Sequence, residues 1–382
     1  MMNYKKLLLL VCMTGSFVSQ TMPVANVKVS SITTIGNMQP IKNKDRYYYD
    51  ENDTHKHIDL PKALRTLGTK ILAPQKLIKK LVSFFYSSDT SDKKEKLDPV
   101  AMLNPTQTVP EASSVEPKIT WVGHATFLVQ INGFNILTDP IWGSVKVGPF
   151  TLTERSMPAG IKFEDLPEIH AVVISHNHSD HTDNPTLKAL AKKWQPIVFV
   201  PEGNKKLIEN MGLTNVVEFN WWQKATITKD GCEVTISCLP AYHWSIRFSL
   251  GSYRKALWSS WMISTNDTNI YFAGDTAYGK HFKEIGAAFP SIDIALMPIG
   301  PTEEGENPHK CYHVDAPEAI DAFIDLKAKS FVPMHYGTFF LGKNTLVLPI
   351  KRLQAYWQEK SAELIDKELL IARCGQGYIW KS

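Results

Sequence analysis

Apolar positions change texture twice along the chain. Residues 7–18 form a nearly unbroken apolar run, with Lys5 and Lys6 just ahead of it. In residues 62–86 the pairs Leu77/Ile78, Leu81/Val82 and Phe84/Phe85 recur every three to four positions, which puts them on one face of a helix bordered by Lys76, Lys79 and Lys80. From Lys118 onward the apolar runs are short and end in Gly, Pro, Asp or Asn. That pattern predicts strands at 119–121, 126–131 and 135–138, with Asn132-Gly133 turning between the last two. Further strands are expected at 171–175, 197–200, 225–227, 233–239, 260–264, 270–273, 294–297, 330–334 and 371–372, and helices at 184–193, 205–211, 316–326 and 350–360. Strands with interspersed helices and no tandem repeat predict a layered α/β domain over residues 118–382.

Composition changes this picture mainly at the front. The chain has 382 residues, 43% of them hydrophobic, enough for a large core or two smaller ones. Its net charge of +4 divides into 16 Lys/Arg against 10 Asp/Glu over residues 1–115 and 26 against 28 over 116–382. The positive excess therefore lies ahead of the α/β domain, and a nucleic-acid partner is not expected. Two lysines before about a dozen apolar residues, too few for the ~20 of a membrane span, predict a removable signal peptide over residues 1–25 and export to the periplasm or beyond the cell. Residues 26–117 then read as a basic extension with extended and linker segments around the amphipathic helix of 62–86. Six basic residues and no acid in that stretch would let it lie on an anionic membrane, while packing on the α/β domain is the equal alternative. Cys232 and Cys238, on one strand, stand about 20 Å apart, so no disulfide is expected.

The chemistry concentrates in His176-Asn177-His178-Ser179-Asp180-His181, directly after the apolar run 171–175. A buried strand ending in four metal-ligand side chains is costly unless a cation gathers them. Histidines two apart in extended chain point to the same side, so His176 and His178 can share one metal while Asp180 and His181 face a second.

This string resembles the His-x-His-x-Asp-His signature of the metallo-β-lactamase fold superfamily. Later landmarks follow in order: His243 in Ala-Tyr-His-Trp, Asp275 in Phe-Ala-Gly-Asp-Thr and His335 in Pro-Met-His-Tyr-Gly, with Asp139 earlier in Leu-Thr-Asp-Pro. The resemblance implies an αββα sandwich of two mixed sheets flanked by helices. It also implies one metal on His176, His178 and His243, a second on Asp180, His181 and His335, and Asp275 between them. Over about residues 118–345 the chain is most similar to the N-acylphosphatidylethanolamine-hydrolysing phospholipase D branch. Trp121-Val122-Gly123-His124-Ala125-Thr126, Leu257-Trp258-Ser259-Ser260-Trp261 and His313-Val314-Asp315 carry that likeness.

Two dications bring +4; Asp180, Asp275 and a hydroxide bring −3, and the remaining +1 suits a phosphodiester. The resemblance implies hydrolysis of phospholipids, N-acylphosphatidylethanolamine first, to phosphatidic acid by metal-activated hydroxide, and two Zn²⁺ are expected because imidazole-rich sites suit zinc, other divalent transition metals being alternatives. Asp180 and His313 are the expected catalytic groups, His313 serving the leaving oxygen. Asp139 and His124 would support the ligands. Trp244, Arg247 and Arg254 are candidates for holding a lipid phosphate and its acyl chains. Residues 302–310 depart from the branch: Glu303, Glu304 and Glu306 replace an aromatic and basic stretch and would repel a phosphodiester. A lactonase or small-ester hydrolase on the same metals, and a non-enzymatic metal-stabilised membrane-binding protein, therefore stand as alternatives. Expected partners are a phospholipid or small phosphodiester, a membrane met by residues 62–86, and a second copy of the chain.

Overall fold

The computed structural model describes residues 27–36, 38–43, 45–49, 103–247, 250–301, 311–341 and 346–380. The expected signal peptide of residues 1–25, the helix expected at 62–86 and the glutamates of 302–310 lie outside them.

The front of the chain gives four short strands, β1 (Lys28–Val29), β2 (Thr33–Thr34), β3 (Ile41–Asn43) and β4 (Arg46–Tyr48). The α/β part then runs β5 (Lys118–Gly123), β6 (Thr126–Ile131), β7 (Phe134–Thr138), β8 (Val145–Val147), β9 (Phe150–Thr153) and β10 (Ala171–Val173). It continues with α1 (Asn184–Lys193), β11 (Ile197–Pro201), α2 (Lys205–Glu209), β12 (Val216–Phe219), β13 (Gln223–Lys229), β14 (Cys232–Leu239), β15 (Ser260–Ser264) and β16 (Asn269–Phe272). α3 (His281–Ala288), β17 (Ile294–Pro298), α4 (Ala316–Leu326), β18 (Ser330–Met334), α5 (Leu348–Glu359), β19 (Glu368–Leu369) and β20 (Gly377–Ile379) complete it.

Two mixed sheets result. One has the order β12-β11-β10-β7-β6-β5-β20; the other runs β1-β13-β14-β15-β16-β17-β18-β19, with β2 also on β13. The strands of the first sheet are apolar on both faces because both are covered. Phe127, Val129, Ile136, Val173 and Phe199 join the main core with Trp261, Ile263 and Tyr271 of the second sheet. Their alternates Leu128, Leu137, Val172 and Val198 pack with Leu187 and Leu190 of α1. On the second sheet, Ala319, Ile320 and Phe323 of α4 enter the main core. The αββα sandwich follows from this alternation.

Most predicted elements appear within two residues of their expected bounds. The strand expected at 371–372 does not: the chain is paired instead at Glu368–Leu369 and Gly377–Ile379, on either side of it. The hairpin β8–β9, β12 and α3 are additions. Segments from ahead of residue 118 also belong to the fold. β1 and β2 extend the sheet edge at β13, Tyr47 and Tyr49 are buried, and Thr106 N–H donates to the Cys374 carbonyl.

Six strand ends place the candidate site along one edge of the sandwich. β7 leads into Asp139, β10 into the His176–His181 string, β14 towards His243, β16 towards Asp275, β17 into Gly300 and β18 into His335. Helix starts fix two of these loops: the Asp183 carboxylate caps α1 through Thr186 N–H at 3.2 Å, and Asp315 forms a capping box with Glu318 at the start of α4. Each such cap contributes about 1 kcal/mol, and here they stop the loops carrying His181 and His313 from fraying.

Candidate metal centre

The structure brings His176, His178, His243 and Asp275 into one buried group and His124, Asp180, His181 and His335 into another; each group offers ligand atoms within 4.8 Å of one another. In the first, His176 Nε2 lies 2.9 Å from His178 Nδ1, which lies 3.3 Å from His243 Nε2. Asp275 Oδ2 is 3.9 Å from both His176 Nε2 and His243 Nε2. The same carboxylate reaches the second group, with Oδ2 3.2 Å from His181 Nε2 and Oδ1 3.1 Å from His335 Nε2. Asp180 Oδ2 stands 3.4 Å from His181 Nε2 and 3.8 Å from His335 Nε2. Asp275 is thus the side chain common to both groups.

The ring N–H groups are directed outwards. His176 Nδ1 meets Ser175 Oγ at 2.8 Å, His181 Nδ1 meets Asp139 Oδ2 at 2.7 Å, His243 Nδ1 meets the Tyr312 carbonyl at 2.8 Å and His335 Nδ1 meets the Gly300 carbonyl at 2.9 Å. With one proton so placed, all four rings turn Nε2 inwards, where its lone pair is available to a cation whenever the ring is neutral. Asp180 Oδ1 is buried and has no hydrogen-bond partner among the described residues. Converging lone pairs beside two buried carboxylates are a donor set that a divalent cation fits, and imidazole nitrogen with carboxylate oxygen suits zinc or a neighbouring transition metal.

Asp139 serves both groups. Besides His181, it accepts from Ser175 N–H at 2.7 Å and from the Ser175 hydroxyl at 2.5 Å, and that hydroxyl in turn holds His176. Three site residues adopt left-handed backbone, His124 at φ 55°, Asp139 at 32° and His335 at 60°, a conformation non-glycine residues keep only when their surroundings impose it. Around His124 the cause is visible. Its N–H donates to Thr338 Oγ1 at 2.7 Å, and its carbonyl accepts from Trp121 Nε1 at 2.9 Å and His335 N–H at 3.2 Å. Gly274, at φ 58°, is needed where it stands because a Cβ there would meet Ser175 Cβ at 2.5 Å.

Protonation divides the two groups. Burial holds His178 and His243 down to about 3 and keeps His176 well below the ordinary histidine value. At His181 burial acts in the same direction, but Asp275, Asp180 and Asp139 outweigh it and lift the pKa well above ordinary; at His335 the same contest, led by Asp275, ends at about 9. Burial would raise Asp180 and Asp275, yet the facing His181 drives both well below the usual carboxylate range. His124, pushed to about 3 by burial and by His335, stays neutral with Nε2 3.1 Å from Asp180 Oδ2.

Other predicted residues fall around this core. His313, partly buried, has Nδ1 3.7 Å from Asp275 Oδ2. The Trp244 ring stands 4.5 Å from that of His178 and 5.6 Å from that of Tyr312, forming an aromatic flank. Arg247 is buried and donates to the Asn177 carbonyl at 3.1 Å and to Asn184 Oδ1 at 2.5 Å, bracing the histidine string. Arg254 requires a correction as a phosphate contact. It is fully buried, donates to the Tyr47 carbonyl at 3.3 Å and lies over the rings of Tyr48, Tyr253 and Trp258. Its cation is committed to clamping the front segment. Ser175, Thr338 and the carbonyls of Gly300 and Tyr312 were not expected; the run of ligands masked Ser175, and a backbone acceptor leaves no trace in sequence.

Fold and donor set together define a metal-dependent hydrolase of the metallo-β-lactamase superfamily. The beta-lactamase superfamily domain matches residues 134–336, and the chain belongs to that family. It is 32% identical over 283 residues to N-acyl-phosphatidylethanolamine-hydrolyzing phospholipase D 1 of Caenorhabditis elegans, covering 69% of this chain and 75% of that protein. It is 27% identical to a metal-dependent hydrolase of Methanopyrus kandleri, over 68% of this chain and 99% of that one. Among solved structures, Igni18, a metallo hydrolase from Ignicoccus hospitalis, superposes with a TM-score of 0.51 at 23% identity, covering 70% of this chain and 99% of that chain. This last likeness concerns the fold.

Proposed function

We propose that the chain is a dinuclear zinc phosphodiesterase that hydrolyses phospholipids on the headgroup side of the phosphate, releasing phosphatidic acid. N-acylphosphatidylethanolamine, named for the Caenorhabditis elegans relative, is the first substrate to test. The observation that carries this reading is the double donor set joined by Asp275, with carboxylates of two residues offsetting part of the charge of two dications. His176, His178 and His243 would hold one ion and Asp180, His181 and His335 the other. Bound cations would supply Lewis acidity and a lowered water pKa, which an anionic phosphodiester needs for attack near neutral pH.

The chain's own residues do the rest. Asp139, Ser175 and the carbonyls of Tyr312 and Gly300 hold the Nδ1 protons of His181, His176, His243 and His335, so that Nε2 is the nitrogen each ring would give to a metal. His313, at the lip of the site, hands a proton to the leaving headgroup oxygen. Trp244 and Tyr312 offer an apolar flank beside His178 for the glycerol and acyl portion. Export through residues 1–25, membrane contact through residues 62–86 and pairing with a second copy belong to the same proposal, resting on the charge and apolar pattern of the front of the chain.

Mass spectrometry of products from mixed phospholipids tests the reading, with Asp180→Asn as control. Phosphatidic acid from the parent and none from the variant is expected. Diacylglycerol would reverse the bond assignment, and a metal-loaded chain that attacks lactones but no phosphodiester would replace it with the ester reading.

A further inference from the structure

Tyr49, from the front segment, is buried against three rings of the α/β domain: its own ring lies 4.4 Å from that of Tyr242, edge on, and 5.8 Å from those of His281 and the core residue Trp221. Tyr242 is the neighbour of His243. His281, at the start of α3, is a buried imidazole held to about 3 by burial, and the hydrolytic chemistry makes no use of it. Its Nε2 lies 3.1 Å from Thr276 Oγ1, while its Nδ1 has no partner among the described residues. The Thr276 hydroxyl donates to the Ala277 carbonyl at 2.9 Å, so His281 Nε2–H is the donor to Oγ1. The same Oγ1 accepts Tyr242 N–H at 2.9 Å.

Backbone bonds complete the knot. Ala277 N–H donates to the Tyr242 carbonyl and Val314 N–H to the Thr276 carbonyl, each at 2.8 Å. Thr276 therefore ties the loops that carry His243, Asp275 and His313. The front segment reaches this knot along a fixed path: β1 and β2 lie on β13, Lys42 Nζ is 3.1 Å from Glu202, Asp45 is 2.7 Å from Lys255 Nζ, and Tyr47 N–H donates to the Arg254 carbonyl at 2.8 Å.

We propose that Tyr49 is a positioning residue for the metal centre: the front segment wedges its ring against Tyr242 and His281, and Thr276 passes that constraint to the loops bearing His243, Asp275 and His313. This rests on the metal reading above. The segment is then a working part of the hydrolase as well as a connection to the basic stretch that follows it.

The test uses the full chain with Tyr49→Ala, Tyr49→Phe and Thr276→Val, each freed of metal by chelation. Zn²⁺ is titrated calorimetrically, the visible spectrum of the Co²⁺-loaded protein is recorded, and thermal unfolding of the metal-free protein is followed. Tyr49→Ala is expected to weaken one Zn²⁺ equivalent about tenfold, the equivalent missing from His178→Ala, and to shift the Co²⁺ spectrum. Tyr49→Phe keeps the ring and should match the parent. Thr276→Val keeps the shape, removes the acceptor and should reproduce the Tyr49→Ala result; it decides the matter alone if Tyr49→Ala does not fold. Unchanged Zn²⁺ affinity and Co²⁺ spectrum in the variants, with only a lowered melting temperature, would reduce Tyr49 to packing and overturn the inference. A parent that takes up no divalent metal overturns the metal reading itself, a separate outcome.

Discussion

The two halves of the centre use the same side-chain types and reach opposite protonation states. Around His176, His178 and His243, burial dominates and the rings stay neutral far below neutrality, Asp275 being the one carboxylate in that group. Around His181 and His335, Asp180 and Asp275 both approach, and the rings hold protons to about 9 at His335 and well above the ordinary value at His181. Two imidazolium charges there offset two carboxylates, so one dication can replace two protons with no change in net charge. The first half holds no such protons, and an ion bound there adds charge that an anionic substrate can answer. On the proposed two-ion reading, the number and nearness of carboxylates would separate a half loaded by proton exchange from one ready for its ion.

The largest expected effect comes from the residue the halves share. Asp275→Asn keeps size while removing the charge that reaches both groups. Hydrolysis of a chromogenic phosphodiester should fall by about 10³-fold or more, a loss of several kcal/mol of transition-state stabilisation, and metal analysis should show depletion of both ions. Near-parental turnover in this variant would end the description of one shared centre. His178→Ala and His335→Ala separate the halves: each should lose one metal equivalent and retain the other. Loss of both ions from either variant would show that the halves do not bind independently.

Next comes pH. Because the second half releases two protons, its metal affinity should rise steeply towards pH 9, by up to roughly a hundredfold per unit. The first half should be nearly flat between pH 6 and 8. Two-step titrations at several pH values measure this, and parallel slopes would abolish the contrast. The metal-free protein shows the same contrast in stability. The folded His335 pKa of about 9 exceeds the unfolded value of about 6.5, so its contribution is full below about 6.5 and disappears as pH rises through 9. His178 and His243 act oppositely: their folded values of about 3 mean stability falls as pH drops below about 6.5, where only the unfolded chain takes the protons. The chelated protein should therefore melt highest near pH 6.5, and a melting temperature still climbing between pH 7 and 9 would contradict the assignment.

How much of this was legible in sequence follows from chain distance. The His176–His181 string could be read because a strand end packs its ligands into six residues, and the short apolar runs gave a layered α/β domain; the αββα sandwich came from the resemblance, and its cause, the division of Phe127, Leu128 and Val129 between two cores, shows only in the fold. Arg254 was misread because a cation beside aromatic residues looks like a phosphate contact until Tyr47 and Tyr48 of β4 are seen against it. β1 and β2 escaped because two-residue strands carry no period and are defined only by the β13 edge they meet. Thr276 and Ser175 sit next to louder neighbours, and their roles exist only after distant loops have been brought together.

The smallest effect separates the halves most finely. Asp139 touches His181 directly but reaches His176 only through the Ser175 hydroxyl. Asp139→Asn should therefore weaken both Zn²⁺ equivalents by about 10- to 100-fold, since an orienting acceptor is lost for a ring in each half. In Ser175→Ala the backbone N–H to Asp139 Oδ1 remains and His181 keeps its acceptor, so only His176 loses its restraint. The equivalent missing from His178→Ala should weaken about tenfold and the other should not move. If Ser175→Ala weakens both equally, the relay runs through the loop backbone rather than the hydroxyl, and the halves are coupled more tightly than their protonation suggests.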